Sequence, residues 1–182
     1  SAIDIMFLID GSGSYNDDID TLKSHASAIL ADLGGRGIDV QFGLASFCDF
    51  PIYPYGGEGD QASAMLQTLT SDTTKVKSAI DSLLIQNGAD YPEAQYEGLY
   101  QTASSAGWRE GAIHLIVLST DAPFHNSATE TGYPGKSSTE ALAALAAKNI
   151  MVVGLRTGDT EGNLEDVVDK TGGQLFELTS DS

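Results

Sequence analysis

Two short, almost unbroken apolar runs, residues 5–9 and 112–119, constrain what this chain can fold into more than any other feature. The first, Ile-Met-Phe-Leu-Ile, stops at Asp10; the second, with Ile113, Leu115, Ile116, Val117 and Leu118, stops at Thr120-Asp121. A strand buried on both faces reads as continuous apolar sequence, which marks the centre of a parallel sheet. Between the two runs, Ile19, Leu22, Ala26, Ile29, Leu30 and Leu33 recur at helical spacing before Gly34-Gly35, predicting an amphipathic helix over 18–33. Further strands are expected over 40–48, 62–69 (an edge strand), 150–155 and 174–178. Helices are expected over 72–84, from Pro92-Glu93 to 105, over 137–148 and over 164–170. Strand and helix alternate throughout. The reading is therefore an α/β fold: one domain, 1–182, with an open, doubly wound, mostly parallel sheet and helices on both faces.

Such sheets bind ligands beyond the carboxyl ends of their strands. Asp10, Asp49 and Asp121 each follow a predicted strand, and Glu93 follows the loop Asn87-Gly-Ala-Asp90-Tyr-Pro92, so the fold should gather these carboxylates on one rim. The stretch Asp10-Gly-Ser12-Gly-Ser14 adds two hydroxyls. In an extended segment alternate side chains point the same way, and one carboxylate with two hydroxyls suits a hard divalent cation. The alternative is that Asp10 and the serines cap the following helix while the glycines turn the chain.

Composition narrows the partners. Twenty-six acidic residues against nine basic give a net charge of −17, which disfavours nucleic acid and anionic membrane surfaces. No apolar run is long enough to span a bilayer, so direct membrane insertion is not expected. Cys48 is the only cysteine; between Phe47 and Asp49 it reads as a buried, inert thiol.

With these residues in view, the chain resembles a von Willebrand factor A domain, and within that class the I-like domain of integrin β subunits. Asp10-x-Ser12-x-Ser14 matches the family's metal-ion-dependent adhesion site, and Thr120-Asp121-Ala122 its later strand-end aspartate. Asp17-Asp18, Phe47-Cys48-Asp49-Phe50-Pro51, Pro92-Glu93 and Asp121-Ala122-Pro123-Phe124-His125 resemble β-subunit features. The resemblance implies that Asp10, Ser12, Ser14, Glu93 and Asp121 surround a central Mg2+ or Mn2+. It implies an adjacent Ca2+ site at Asp17 and Asp18, and a third site formed by Asp49, Asp90, the Pro92 carbonyl and Glu93. Two departures stand out. The spacing from Asn87 to Asp90 is one residue longer than the family's, which removes the warrant for Asn87 as a ligand. After residue 178 only Thr-Ser-Asp-Ser follows, where the family has a C-terminal helix.

The implied function is metal-dependent adhesion or ligand binding, in which a protein or peptide carboxylate, or a surface glycan, completes the cation's shell. The expected setting is extracellular or at the cell surface, as a monomeric module of a larger bacterial adhesin. Two rivals are a Ca2+-stabilised structural spacer and a metal-dependent phosphohydrolase. For the latter, Ser12 stands where an Asp-x-Asp phosphotransferase needs its acid/base carboxylate, and Gly-Ser-Gly-Ser lacks a phosphate-loop lysine. The expectation is a non-enzyme.

Overall fold

The computed structural model describes residues 1–178, without the side chains of Tyr15 and Asp17. The sequence expectation about a missing final helix turns on residues 179–182 and lies outside the described residues. Six strands, β1 (Ile3–Asp10), β2 (Val40–Phe47), β3 (Ala64–Thr70), β4 (Ile113–Thr120), β5 (Ile150–Arg156) and β6 (Leu175–Glu177), form one sheet in the order β3-β2-β1-β4-β5-β6. All neighbours are parallel except the edge pair β2·β3, which is antiparallel with register shifts. The two apolar runs are central neighbours: Ile9 lies opposite Ser119, which brings Asp10 beside the end of β4.

Five helices cover the sheet: α1 (Ile19–Gly35), α2 (Thr73–Asp81), α3 (Gln95–Ser105), α4 (Ser138–Ala147) and α5 (Asn163–Thr171). Strand alternation divides the core between them. Met6 and Leu8 point into one cluster with Ile116, Leu118, Leu99, Leu145 and Leu164, under α3, α4 and α5. Ile5, Phe7 and Ile9 point into the other with Phe42, Leu22, Leu30, Val76 and Ile80, under α1 and α2. The expected doubly wound α/β fold is the observed one. No helix among the described residues is long and apolar enough to cross a membrane.

Element boundaries differ at places that matter for function. Gly34 and Gly35 do not stop α1; the chain leaves the helix at Arg36, and Gly37 takes the left-handed conformation (φ 68°). Pro92-Glu93 does not open α3, which begins at Gln95. Glu93 is extended and pairs with the loop after β4: its N–H donates to the Pro123 carbonyl (3.1 Å), and its carbonyl accepts from His125 N–H (2.9 Å). A segment that satisfies its backbone this way cannot also form a helical first turn, so Glu93 stays on the rim.

Candidate metal centre at the carboxyl edge of the sheet

Asp10 closes β1 and is wholly buried. Its Oδ1 accepts from the Ser12 N–H (2.9 Å) and hydroxyl (2.6 Å), and its Oδ2 accepts from Thr120 Oγ1 (2.7 Å). Asp10 thus folds its own loop rather than capping a helix. Residues 13–17 form a short 3-10 turn, and the N-cap of α1, Asp18, makes no side-chain cap bond. The capping alternative is not what the structure contains. The Ser12 hydroxyl lies 3.1 Å from that of Ser14, which donates to Asp121 Oδ1 (3.2 Å), joining the ends of β1 and β4 through side chains. Gln95 Nε2 donates to Thr120 Oγ1 and to the Ala122 carbonyl (3.0 Å each), so the first residue of α3 orients the threonine that holds Asp10.

Glu93 is 2% exposed and its Oε2 has no hydrogen-bond partner. Burial, then the charges of Asp10 and Asp49, push its carboxyl up to about 10, against the easing effect of the Ser12 hydroxyl. Burial likewise raises Asp10 to about 6, with the Asp121 charge adding to it, and raises Asp121, beside which Asp18 contributes like charge. Among the described residues no lysine or arginine forms an ion pair with any of these carboxylates. Gly88 presses against this cluster. It has φ 64°, and a Cβ there would stand 3.2 Å from Glu93 Oε1, so both conformation and space call for glycine.

A second group lies behind the first. Asp49, wholly buried, receives Phe50 N–H (2.7 Å) and the Tyr133 hydroxyl (3.1 Å) on Oδ1, while its Oδ2 and Asp90 Oδ2 each lie 3.1 Å from His125 Nε2. Burial lowers the imidazole's affinity for a proton, but Asp49 and Glu130 outweigh it and hold His125 up at about 9. Burial pushes Asp90 up while His125 pulls it back.

Of the ten residues expected to hold metal, the rim brings together Asp10, Ser12, Ser14, Asp121 and Glu93, with Asp49 and Asp90 meeting over His125. Asp18 reaches the charge field of Asp121. Pro92 precedes Glu93 in the same loop. The Asp17 side chain lies outside the described residues. Asn87 serves through its backbone: its N–H donates to Asp60 Oδ1 (3.0 Å) and its carbonyl accepts from Gly13 (3.4 Å). Cys48 is buried and burial pushes its thiol well above the ordinary range, as an inert cysteine should be. Phe124 and Tyr133 are buried, and Trp108 donates to the Thr102 carbonyl (3.2 Å); Tyr91 is exposed on the rim, with its hydroxyl on the Asp121 carbonyl (3.1 Å).

Sequence reasoning missed four participants. Thr120 carried a signal, since it ends the strand that neighbours β1. Gln95 carried none, and His125 was read only as the end of a stretch that resembles the family, because its contacts appear only when loops converge. Asp60, 5% exposed, sits in a loop read only as a turn, yet its carboxylate binds the N–H groups of Gly57 (2.8 Å), Asn87 and Gly88 (3.1 Å) and so staples two rim loops together.

Comparison with known proteins agrees with this architecture. Integrin beta-1 of Gallus gallus is 29% identical over 142 residues, 68% of this chain and 18% of that protein. Integrin beta-4 of Homo sapiens is 27% identical over 147 residues, 70% of this chain and 8% of that one. The chain thus spans less than a fifth of the length of these curated relatives. Among solved structures, proximal thread matrix protein 1 from the mussel byssus, with a zinc-occupied MIDAS motif, matches with TM-score 0.72 and 19% identity, over 100% of this chain and 43% of that one. The conserved hypothetical protein BatB from Bacteroides thetaiotaomicron matches at TM-score 0.69 with 17% identity, over 98% and 91% of the two chains. The model of the von Willebrand factor type A domain matches residues 4–182, from the first strand onward. On that match the chain belongs to the von Willebrand factor type A domain family.

Proposed function

We propose that the chain is a ligand-binding module that holds a divalent cation, Mg2+ or Mn2+, at Asp10, Ser12 and Ser14, with Asp121 and Glu93 around it. A carboxylate of a protein or peptide partner completes the arrangement. The observation that carries this reading is the burial of Asp10 and Glu93 together, with Glu93 Oε2 unpartnered and, among the described residues, no lysine or arginine paired to either. Carboxylates buried this deeply ionise together only with a compensating cation, and an all-oxygen set suits a hard ion. The hydroxyls of Ser12 and Ser14 are neutral, so the cation stays under-compensated on the solvent side, where Ser14 is exposed, and attracts an anionic group. The zinc-occupied MIDAS motif of the mussel byssus protein is consistent with a cation in this position.

Asp10 is poorly placed as a nucleophile, because both its oxygens already accept hydrogen bonds from Ser12 and Thr120. The proposed role is therefore binding rather than catalysis. The proposed setting is extracellular or cell-surface, within a larger adhesin, with Ca2+ at the adjacent acidic positions Asp17 and Asp18. Calorimetric titration with Mn2+ tests the reading. Wild-type chain should take up the ion and then bind a peptide bearing one carboxylate, and Asp10→Ala should lose both while keeping its helical circular dichroism. Peptide binding that persists unchanged in EDTA would refute it. A structural spacer would instead gain thermal stability from Ca2+ without any carboxylate-dependent binding.

A further inference from the structure

Asp60 lies near the end of the loop from β2 to β3 and is 5% exposed. Main chain answers its carboxylate: Oδ2 accepts from the N–H groups of Gly57 (2.8 Å) and Gly88 (3.1 Å), and Oδ1 from that of Asn87 (3.0 Å). Among the described residues no lysine or arginine forms an ion pair with it. A hydrogen bond to an ionised acceptor is roughly twice as strong as a neutral one. Three on one buried side chain therefore fix the segment 86–88 against the β2–β3 loop. Ala89 N–H, which donates to the Tyr55 carbonyl (2.9 Å), continues the same seam.

The other edge of segment 86–88 faces the loop that carries Ser12 and Ser14. Gln86 N–H donates to the Gly11 carbonyl (2.7 Å), and the Asn87 carbonyl accepts from Gly13 N–H (3.4 Å). The fit there is close: a Cβ at Gly13 would stand 3.2 Å from the Asn87 carbonyl oxygen. Gly88, in the left-handed conformation, presses on Glu93, since a Cβ there would stand 3.2 Å from Glu93 Oε1. One edge of the segment is thus held by Asp60, and the other bounds Ser12, Ser14 and Glu93. Whatever shifts the first edge shifts the second.

We propose that Asp60 is a positioning residue for the central site. It touches no ion; by holding Asn87 and Gly88 it sets where the loop Gly11–Ser14 and Glu93 stand. This role rests on the reading of those residues as a cation site. The β2–β3 loop then contributes to cation affinity without supplying a ligand. Asp60→Asn isolates the effect, because it keeps the size of the side chain and exchanges one acceptor oxygen for an NH2 donor. Whichever way the amide turns, at least one of the three N–H groups then faces a donor.

Calorimetric titration with Mn2+ and amide hydrogen exchange, both on the full chain, test the proposal. Asp60→Asn should keep its helical circular dichroism and bind Mn2+ about tenfold more weakly than wild type, the low end of the loss on removing an outer-shell partner of a metal ligand. In EDTA the Asn87 and Gly88 amides should exchange faster in the variant. The Arg109 amide, bonded to Asp4 at the opposite end of the sheet, should keep its rate. A merely structural role would speed all three and leave the Mn2+ affinity of the folded chain unchanged. Coupling is mutual, so saturating Mg2+ should slow exchange at Asn87 and Gly88 in the unaltered chain by about the same tenfold. That arm needs no variant and decides the matter if Asp60→Asn does not fold. Equal Mn2+ affinity in a folded Asp60→Asn chain would overturn the role of Asp60 alone, and so would wild-type exchange at these amides that Mg2+ leaves unmoved. A wild-type chain that takes up neither ion would overturn the reading of the central site and this role with it.

Discussion

The two ends of the central strands bury carboxylates in opposite ways. At the amino end, Asp4 is wholly buried in β1 and fully answered. Arg109 gives it a backbone N–H (2.7 Å) and its Nε (2.8 Å), reaches Asp39 with Nη1 (2.7 Å), and donates through Nη2 to the Ile3 carbonyl (3.1 Å). At the carboxyl end, Asp10, Glu93 and Asp121 meet without a lysine or arginine paired to them among the described residues, and His125 lies behind them, paired with Asp49 and Asp90. Both ends have the same strand as a platform, so the sheet itself does not decide the difference. One pole has its countercharge built into the chain; under the proposed function the other takes it from a bound cation. Structural carboxylates are completed internally, whereas a site meant for an exchangeable cation must keep its deficit.

The largest test of the contrast is removal of the internal cation. Arg109→Met should cost about 3 kcal/mol, the scale for stranding one partner of a buried pair, and lower the melting midpoint by roughly 6–12 °C. A loss no larger than that of an ordinary surface change would erase the distinction between the poles. Combining it with Asp4→Asn should recover part of the loss, since the stranded charge is then gone.

At the other pole the sign should reverse. In EDTA at neutral pH, Asp10→Asn should stabilise the chain by about 1 kcal/mol, on the order of one pKa unit, because it removes a buried charge that no lysine or arginine balances. The pH profile follows from the same shifts. Asp10 is raised from 3.8 to about 6 and Glu93 from 4.5 to about 10, so the folded chain holds protons that the unfolded chain has released. Their contribution to stability is complete below about pH 4 and declines as pH rises, through about 6 for Asp10 and about 10 for Glu93. Melting curves in EDTA should therefore fall between about pH 4 and pH 8, less steeply in Asp10→Asn, and Mg2+ should flatten the wild-type fall. A wild-type midpoint that climbs with pH in EDTA would contradict this account.

The sequence made the rim legible because its residues are tied to strand ends. Ile5–Ile9 and 112–119 are apolar enough to be central strands, and whatever follows a central strand must stand on the carboxyl edge, which placed Asp10 and Asp121 without any contact being known. Glu93 was legible by position but not by conformation. The proline before it suggested a helix start, whereas pairing with Phe124, remote in sequence, keeps it extended. His125 was illegible for a related reason. Its neighbours Asp49, Asp90 and Glu130 come from three loops, and loop convergence leaves no periodic trace. The internally balanced pole was equally hidden: nothing local to Asp4 announces Arg109, more than a hundred residues later.

The smallest expected effect is the most discriminating one. Glu93 sits at about 10 in the metal-free fold, so near pH 7 its carboxyl is already protonated and Glu93→Gln resembles what is there. In EDTA the substitution should move stability by no more than ~0.5 kcal/mol, the range of an innocuous change. Yet the cation must displace that proton to use the carboxylate, and a glutamine offers no charge to release. Mn2+ affinity at the central site should therefore fall about tenfold, the ~1.4 kcal/mol of a modest change in charge compensation. A marked loss of stability in EDTA would mean that Glu93 is a structural group like Asp4. Unchanged stability with unchanged Mn2+ affinity would mean that the rim's charge deficit rests on Asp10 and Asp121 alone.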